Sequence, residues 1–168
     1  PRESLADAVS AADVVIEAAP EKVALKQDIF AELERHARRD ALLASNTSVI
    51  PIGTIAARVT TRDRVLGTHW WMPPYLVPLV EVIQAEGTAD ASVTRMIDLL
   101  TAAGKTAVHV KKDVPGFIGN RLQHALWREA MALVQNGVCD ARTIDTVVKA
   151  SFGRRLPVIG PLESADLV

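Results

Sequence analysis

The sequence holds a single cysteine, Cys139, among its 168 residues. One thiol cannot close an internal disulfide, and no CxxC spacing or neighbouring histidine marks it as a reactive centre, so a reducing, cytoplasmic setting is expected. Charge of one sign is also lacking: 19 Lys and Arg stand against 20 Asp and Glu, a net charge of -1. That balance argues against nucleic acid as a partner. No apolar run reaches the ~20 residues that cross a bilayer, and no basic-plus-apolar leader opens the chain, so no membrane partner is expected. His, Cys, Asp and Glu nowhere recur at metal-ligand spacing, and no metal is expected. None of the nine glycines falls in a G-x-G-x-x-G, the turn whose backbone N–H groups cradle a pyrophosphate.

What is present is a globular composition. Apolar residues make up 49% of the chain, enough for a core, and the length suits one domain, or one domain with part of another. The chain opens on Pro1 rather than Met, which suggests a fragment or a processed product. Asp13 to Ala18 is a short β-branched run, read as a strand buried on both faces. Residues 21 to 39 turn helical, with Pro20 as opener and Glu21 at the positive end of the helix dipole. Ala41 to Ala44 is the next strand, Pro51 to Arg58 a short helix, and Val65 to His69 a third strand. This alternation implies a parallel sheet with right-handed crossovers. Leu79 to Ile83 forms a further strand. Val93, Met96, Ile97 and Leu100 mark an amphipathic helix ending at Gly104, and Thr106 to Val110 a last strand. From Gly116 to Asn136 runs one long helix with a stripe of Leu122, Leu126, Ala130 and Leu133. Gly137 ends it, and a second helix covers Ala141 to Ala150. The expected fold is α/β: a partial Rossmann-like parallel sheet (residues 1–112), then the start of an all-helical domain (113–168).

Sheets of this kind place ligands at the carboxyl ends of their strands. Ala18 to Glu21, Ser45-Asn46 and His69 all fall there. His69 ends an apolar strand, and imidazole titrates near neutrality, so it can take a proton from a hydroxyl being oxidised. Glu81 sits within the next apolar strand, where an unpaired carboxylate is costly. It either reaches solvent or pairs with His69, fixing the tautomer.

Val15-Ile16-Glu17-Ala18 through Glu21 to Lys26, Ser45-Asn46-Thr47-Ser48, His69 through Glu81, and Pro115-Gly116-Phe117 through Asn120-Arg121 follow one another in an order that resembles the 3-hydroxyacyl-CoA dehydrogenase superfamily. The segments Pro73 to Glu81, Asn120 to Gln123 and Ile159 to Glu163 look most like its λ-crystallin/L-gulonate 3-dehydrogenase and carnitine dehydrogenase branches. The resemblance implies an NAD-dependent oxidation of the 3-hydroxyl of a 3-hydroxyacyl-CoA or a small 3-hydroxy acid. It implies His69 as general base held by Glu81, and Ser45 and Asn120 binding the reacting oxygen and positioning substrate. Glu21, Lys26 and Ser45 would stand near the cofactor's nicotinamide end. It also implies a role in fatty acid metabolism and a homodimer when full length.

Three departures stand out. Met72 occupies the asparagine position of the family's H-x-x-N-P, the first βαβ unit with its glycine-rich loop is missing, and the helical domain stops early. The isolated polypeptide is therefore expected to lack dehydrogenase activity and tight NAD binding, and to expose a sheet edge at Val14-Val15-Ile16. Plainer readings exist for each residue. His69 could be a core histidine, and Ser45 and Asn46 could cap the helix near Pro51. Glu21 and Lys26 could be a solvated helix face, and Asn120 a first-turn residue. Trp70 and Trp71 should point to opposite faces. The rival for the whole chain is a non-catalytic structural or dimerising module.

Overall fold

The computed structural model describes residues 3–167. The chain divides into two compact units, the first ending at Asn120 and the second beginning at Arg121. In chain order the first unit holds α1 (Leu5–Val9), β1 (Val14–Glu17), α2 (Val23–His36), β2 (Leu42–Ser45), α3 (Ile52–Ile55), β3 (Val65–Trp70), β4 (Leu79–Ile83), α4 (Asp90–Ala102) and β5 (Thr106–Val110). Helix α5 (Gly119–Gln135) starts there and continues into the second unit, which adds α6 (Ala141–Ala150) and α7 (Pro161–Ala165).

The five strands lie side by side in the order β1-β2-β3-β4-β5. The first three are parallel, as their helical crossovers require. The expected all-parallel sheet does not extend further: β4 runs antiparallel to β3, and β5 runs parallel to β4. The Trp71–Pro78 connection is too short for the crossover of about a dozen residues that a parallel neighbour needs. The expectation that β1 is buried on both faces is also corrected. It pairs with β2 alone among the described residues, and Ile16 is 43% exposed.

Strand parity sorts the side chains. Leu42, Ala44, Leu66, Val80 and Val82 face α4, whose Val93, Met96 and Leu100 complete one core. Leu43, Val65 and Ile83 face the other way, onto Phe30 and Leu33 of α2 and Ile52 and Ile55 of α3. Full burial of each large apolar side chain contributes roughly 1.5–3 kcal/mol. On this second face α3 presses so close that a β-carbon at Gly67 would stand 2.7 Å from Ile52 Cδ1. Any larger residue at this position, two before His69, would have to push the buried Ile52 side chain aside.

Pro20 and Glu21 do not open α2. Lys22 caps it, after a turn in which the Lys22 N–H donates to the Pro20 carbonyl (2.7 Å). Further along α2, Glu34 fastens the loop before β3, accepting from the N–H and hydroxyl of both Thr60 and Thr61 at 2.7–2.9 Å. Burial pushes its carboxyl up, but these donors outweigh that and hold it down at about 2.

In the second unit Gly137 takes a left-handed φ of 70° to end α5, and Asp140 caps α6 by accepting from the Thr143 N–H (2.7 Å). The expected stripe lies open: Leu122 and Leu126 are exposed, and no residue of α5 is buried. An apolar groove lined by Ala130, Met131, Val134, Ala141 and Ile144 separates α5 from α6.

Candidate active site

The pairing of β3 with β4 sets His69 directly opposite Glu81. Parity turns both side chains to the face that carries Val65 and Ile83. The expected contact is there, on adjoining strands: His69 Nδ1 and Glu81 Oε2 are 2.7 Å apart, and both residues are buried. The other carboxylate oxygen, Oε1, accepts from the N–H of Ile118 (2.9 Å) and of Gly119 (3.0 Å). Burial drives the Glu81 carboxyl up, but the bond with His69 and these two N–H groups more than compensate, and its pKa lies below the ordinary value. An ionised Glu81 accepts only, so Nδ1 donates to it, and in the neutral imidazole Nε2 carries the lone pair. Nε2 has no hydrogen-bond partner among the described residues. The rings of Trp71 and Phe117 stand 5.4 and 5.6 Å from the imidazole, tilted against it.

The two tryptophans part company as alternation predicts. Trp70 packs with the core under α4 and has the Lys105 ammonium 5.4 Å above its ring. Trp71 goes to His69, with its indole N–H buried and unpaired.

A second cluster joins the carboxyl ends of β1 and β2. Glu17 Oε1 accepts from Lys26 Nζ (2.8 Å), and Oε2 accepts from Lys26 Nζ (3.0 Å) and the Ser45 hydroxyl (2.7 Å). Lys26 is 1% exposed, also donates to the Ala19 carbonyl (3.0 Å), and lies 3.5 Å from Glu21. It is therefore neither a solvated helix residue nor a cation open to a ligand. Ser45 is likewise withdrawn: its hydroxyl is buried and committed to Glu17, and it does not cap α3.

The outer part of the turn is open. Glu21 Oε1 accepts from the Ser48 N–H (2.6 Å), and its carboxylate from the Thr47 hydroxyl (3.0 Å), with 38% of the side chain exposed. Asn46 Oδ1 accepts from the Trp70 N–H (3.2 Å), tying this turn to the end of β3. Asn120 Nδ2 donates to the Ser48 carbonyl (2.9 Å). The exposed hydroxyl of the turn, beside Asn120, is thus that of Ser48.

Sequence reasoning gave Glu17 and Ser48 no role of their own, left open which tryptophan turns to the histidine, and passed over the Ile118–Gly119 backbone. Glu17 was findable, since it is a carboxylate in an apolar strand, the same signal that marked Glu81. The other histidines stand apart. His109 Nε2 meets Gln84 Oε1 at 2.8 Å, His36 lies 3.3 Å from Glu32, and His124 stacks on Trp127. Among the described residues no cluster could hold a metal ion, and no helix is long and apolar enough to cross a membrane.

Comparison with known proteins agrees with this architecture. Residues 1–114 match the family model described as 3-hydroxyacyl-CoA dehydrogenase, NAD binding domain, and residues 116–168 match its C-terminal domain. A 5-formyl-3-hydroxy-2-methylpyridine 4-carboxylate 5-dehydrogenase of Mesorhizobium japonicum is 42% identical over 98% of this chain and 53% of its own length. An L-carnitine dehydrogenase of Streptomyces coelicolor is 40% identical over 95% of this chain and 50% of its own. The crystal structure of a 5-formyl-3-hydroxy-2-methylpyridine 4-carboxylic acid 5-dehydrogenase, described as an NAD+ dependent dismutase, superposes with a TM-score of 0.93 at 42% identity, over 99% of this chain and 54% of that one. The 3-hydroxyacyl-CoA dehydrogenase of Archaeoglobus fulgidus gives a TM-score of 0.85 at 34% identity, over 92% of this chain and 53% of that one. The chain spans about half the length of the curated relatives it matches. It belongs to the 3-hydroxyacyl-CoA dehydrogenase family, whose cofactor is NAD.

Proposed function

We propose that the protein containing this chain is an NAD-dependent dehydrogenase that oxidises a secondary hydroxyl to a ketone, with His69 as general base. The observation that carries this reading is the Nδ1 contact of His69 with Glu81. It leaves Nε2 as the free base and places a fixed negative charge behind it. As a substrate hydroxyl loses its proton to Nε2, the imidazolium that forms is stabilised by Glu81. NAD, when bound, supplies the hydride acceptor. Asn120 and the Ser48 hydroxyl hold the substrate oxygen, Ser48 taking the part the resemblance gave to Ser45. Glu21 receives the nicotinamide ribose, and the Glu17–Lys26–Ser45 cluster fixes Glu21 from beneath. Residues 1–112 act as the later part of the NAD-binding domain and 113–168 as the opening of the helical domain, in a homodimeric whole.

The substrate we favour is a small free 3-hydroxy acid rather than a CoA thioester. The relatives at 40–42% identity are named for small free compounds. Steady-state NAD reduction by the intact protein tests this, using free 3-hydroxy acids against their CoA thioesters. Turnover is expected with the free acids; turnover confined to thioesters reverses the preference, and none with either class refutes the dehydrogenase reading.

A further inference from the structure

The connection into α5 is built in an unusual way. Gly116 has a φ of 75°, and the next residue, Phe117, has a φ of 51°. A bulky side chain in the left-handed region is uncommon and strained, so the surroundings must enforce it. Phe117 is fully buried in the core shared with α2 and α3, its ring 5.6 Å from His69. The next two N–H groups, of Ile118 and Gly119, both converge on Glu81 Oε1. Gly119 has no room for a side chain, because a β-carbon there would overlap Cζ2 of Trp71, the ring beside His69. Three successive residues, Phe117, Ile118 and Gly119, are thus committed to the surroundings of one carboxylate and one imidazole.

The geometry points to this turn as a positioning element for the proton-transfer pair, with the backbone N–H groups of Ile118 and Gly119 acting through Glu81 on His69. The assignment rests on the dehydrogenase reading for its kinetic consequence and on the hydrogen bonds around Glu81 for its electrostatic one. A carboxylate has two oxygens. Unless Oε1 is engaged, the group is free to rotate about its bond to Cγ and its burial favours the protonated form, which no longer draws the Nδ1 proton of His69. Two N–H donors on Oε1 fix both the plane and the charge of Glu81. His69 is the titratable group that faces it. No other charged side chain bonds to either partner among the described residues, and the rings of Trp71 and Phe117 enclose the imidazole. The plainer alternative is that Glu81 merely caps the first turn of α5.

Two variants of the intact protein separate these. The first replaces Ile118 by its α-hydroxy acid, turning one amide into an ester and deleting a single N–H with no change of side chain. The second is Gly119→Ala, whose methyl must displace Trp71 or the Glu81 contact. The nitrogen NMR titration midpoint of His69 is expected to move by about half to one pH unit in both, the worth of one hydrogen bond. In the active protein kcat should fall roughly tenfold with KM nearly unchanged, and the acid limb of the pH–rate profile should move by the same interval. An unchanged His69 titration in the ester variant, with only a lower melting temperature, would show that the turn is a helix cap and overturn the assignment. If the wild-type protein oxidises nothing, the dehydrogenase reading fails, and the His69 titration still decides this one.

Discussion

His69→Gln leaves a folded protein that turns over roughly 10²–10⁴-fold more slowly, the usual worth of a positioned general base. Glutamine is close in length and keeps a polar end against Glu81, so the sheet is preserved while the proton acceptor is lost. The deficit should appear in kcat and kcat/KM alike, because Nε2 acts on the hydroxyl only as its proton leaves. Steady-state rates across pH 6–9, with circular dichroism to confirm the fold, give the answer. An unaltered profile would reduce His69 to a packing residue beside Trp71 and Phe117.

Lys26→Met has the largest expected effect on stability. The Glu17 and Lys26 side chains are 3% and 1% exposed, with 2.8 Å between their charged atoms. Methionine fills the space of the lysine stem but leaves the buried Glu17 carboxylate without its cation, held only by the Ser45 hydroxyl and the Ala19 N–H, and breaking a buried pair in this way costs about 3–5 kcal/mol. For a chain of this size that lowers the melting temperature by roughly 10 °C. Removing both charges, in Glu17→Gln with Lys26→Met, should recover most of the loss, since burying an ion pair is itself expensive. Thermal unfolding of the three variants tests this. A single variant within about 1 kcal/mol of wild type would mean that solvent reaches the pair.

These two sites differ in how far they could be read from the sequence. Glu81 announced itself because a carboxylate in the run Leu79-Val80-Glu81-Val82-Ile83 demands a partner. A two-residue repeat then put it on the face of His69 once β3 and β4 were neighbours. Strands β4 and β5 and helix α6 have the bounds their patterns predict. The direction of β4 was not legible from its residues, since an apolar strand reads alike either way, and only the length of the Trp71–Pro78 connection decides it. The openness of β1 was hidden for a related reason. Val14-Val15-Ile16 has the composition of a central strand, and its exposure depends on which strand stands beside it.

Ser45 and Ser48 show a finer limit. A motif names both serines, but which hydroxyl is free depends on where β2 ends. The strand carries Ser45 inward to Glu17, while the turn releases Ser48 beside Asn120. Similarly, the sequence offers Lys26 either as a cation near the nicotinamide ribose or as a solvated helix residue, and only the carboxyl end of β1 standing against it shows that it is drawn inward. The donors at Ile118 and Gly119 are backbone groups, and nothing in side-chain pattern marks them.

The central claim is that Glu81 holds the Nδ1 proton of His69 and so leaves Nε2 as the base. Nitrogen NMR of the protein with ¹⁵N-labelled imidazoles tests it directly, the His69 signals being assigned by their loss in His69→Gln. In the neutral imidazole the account predicts a proton-bearing Nδ1 and a bare Nε2. A neutral ring protonated at Nε2, with Nδ1 bare against a protonated Glu81, would contradict it.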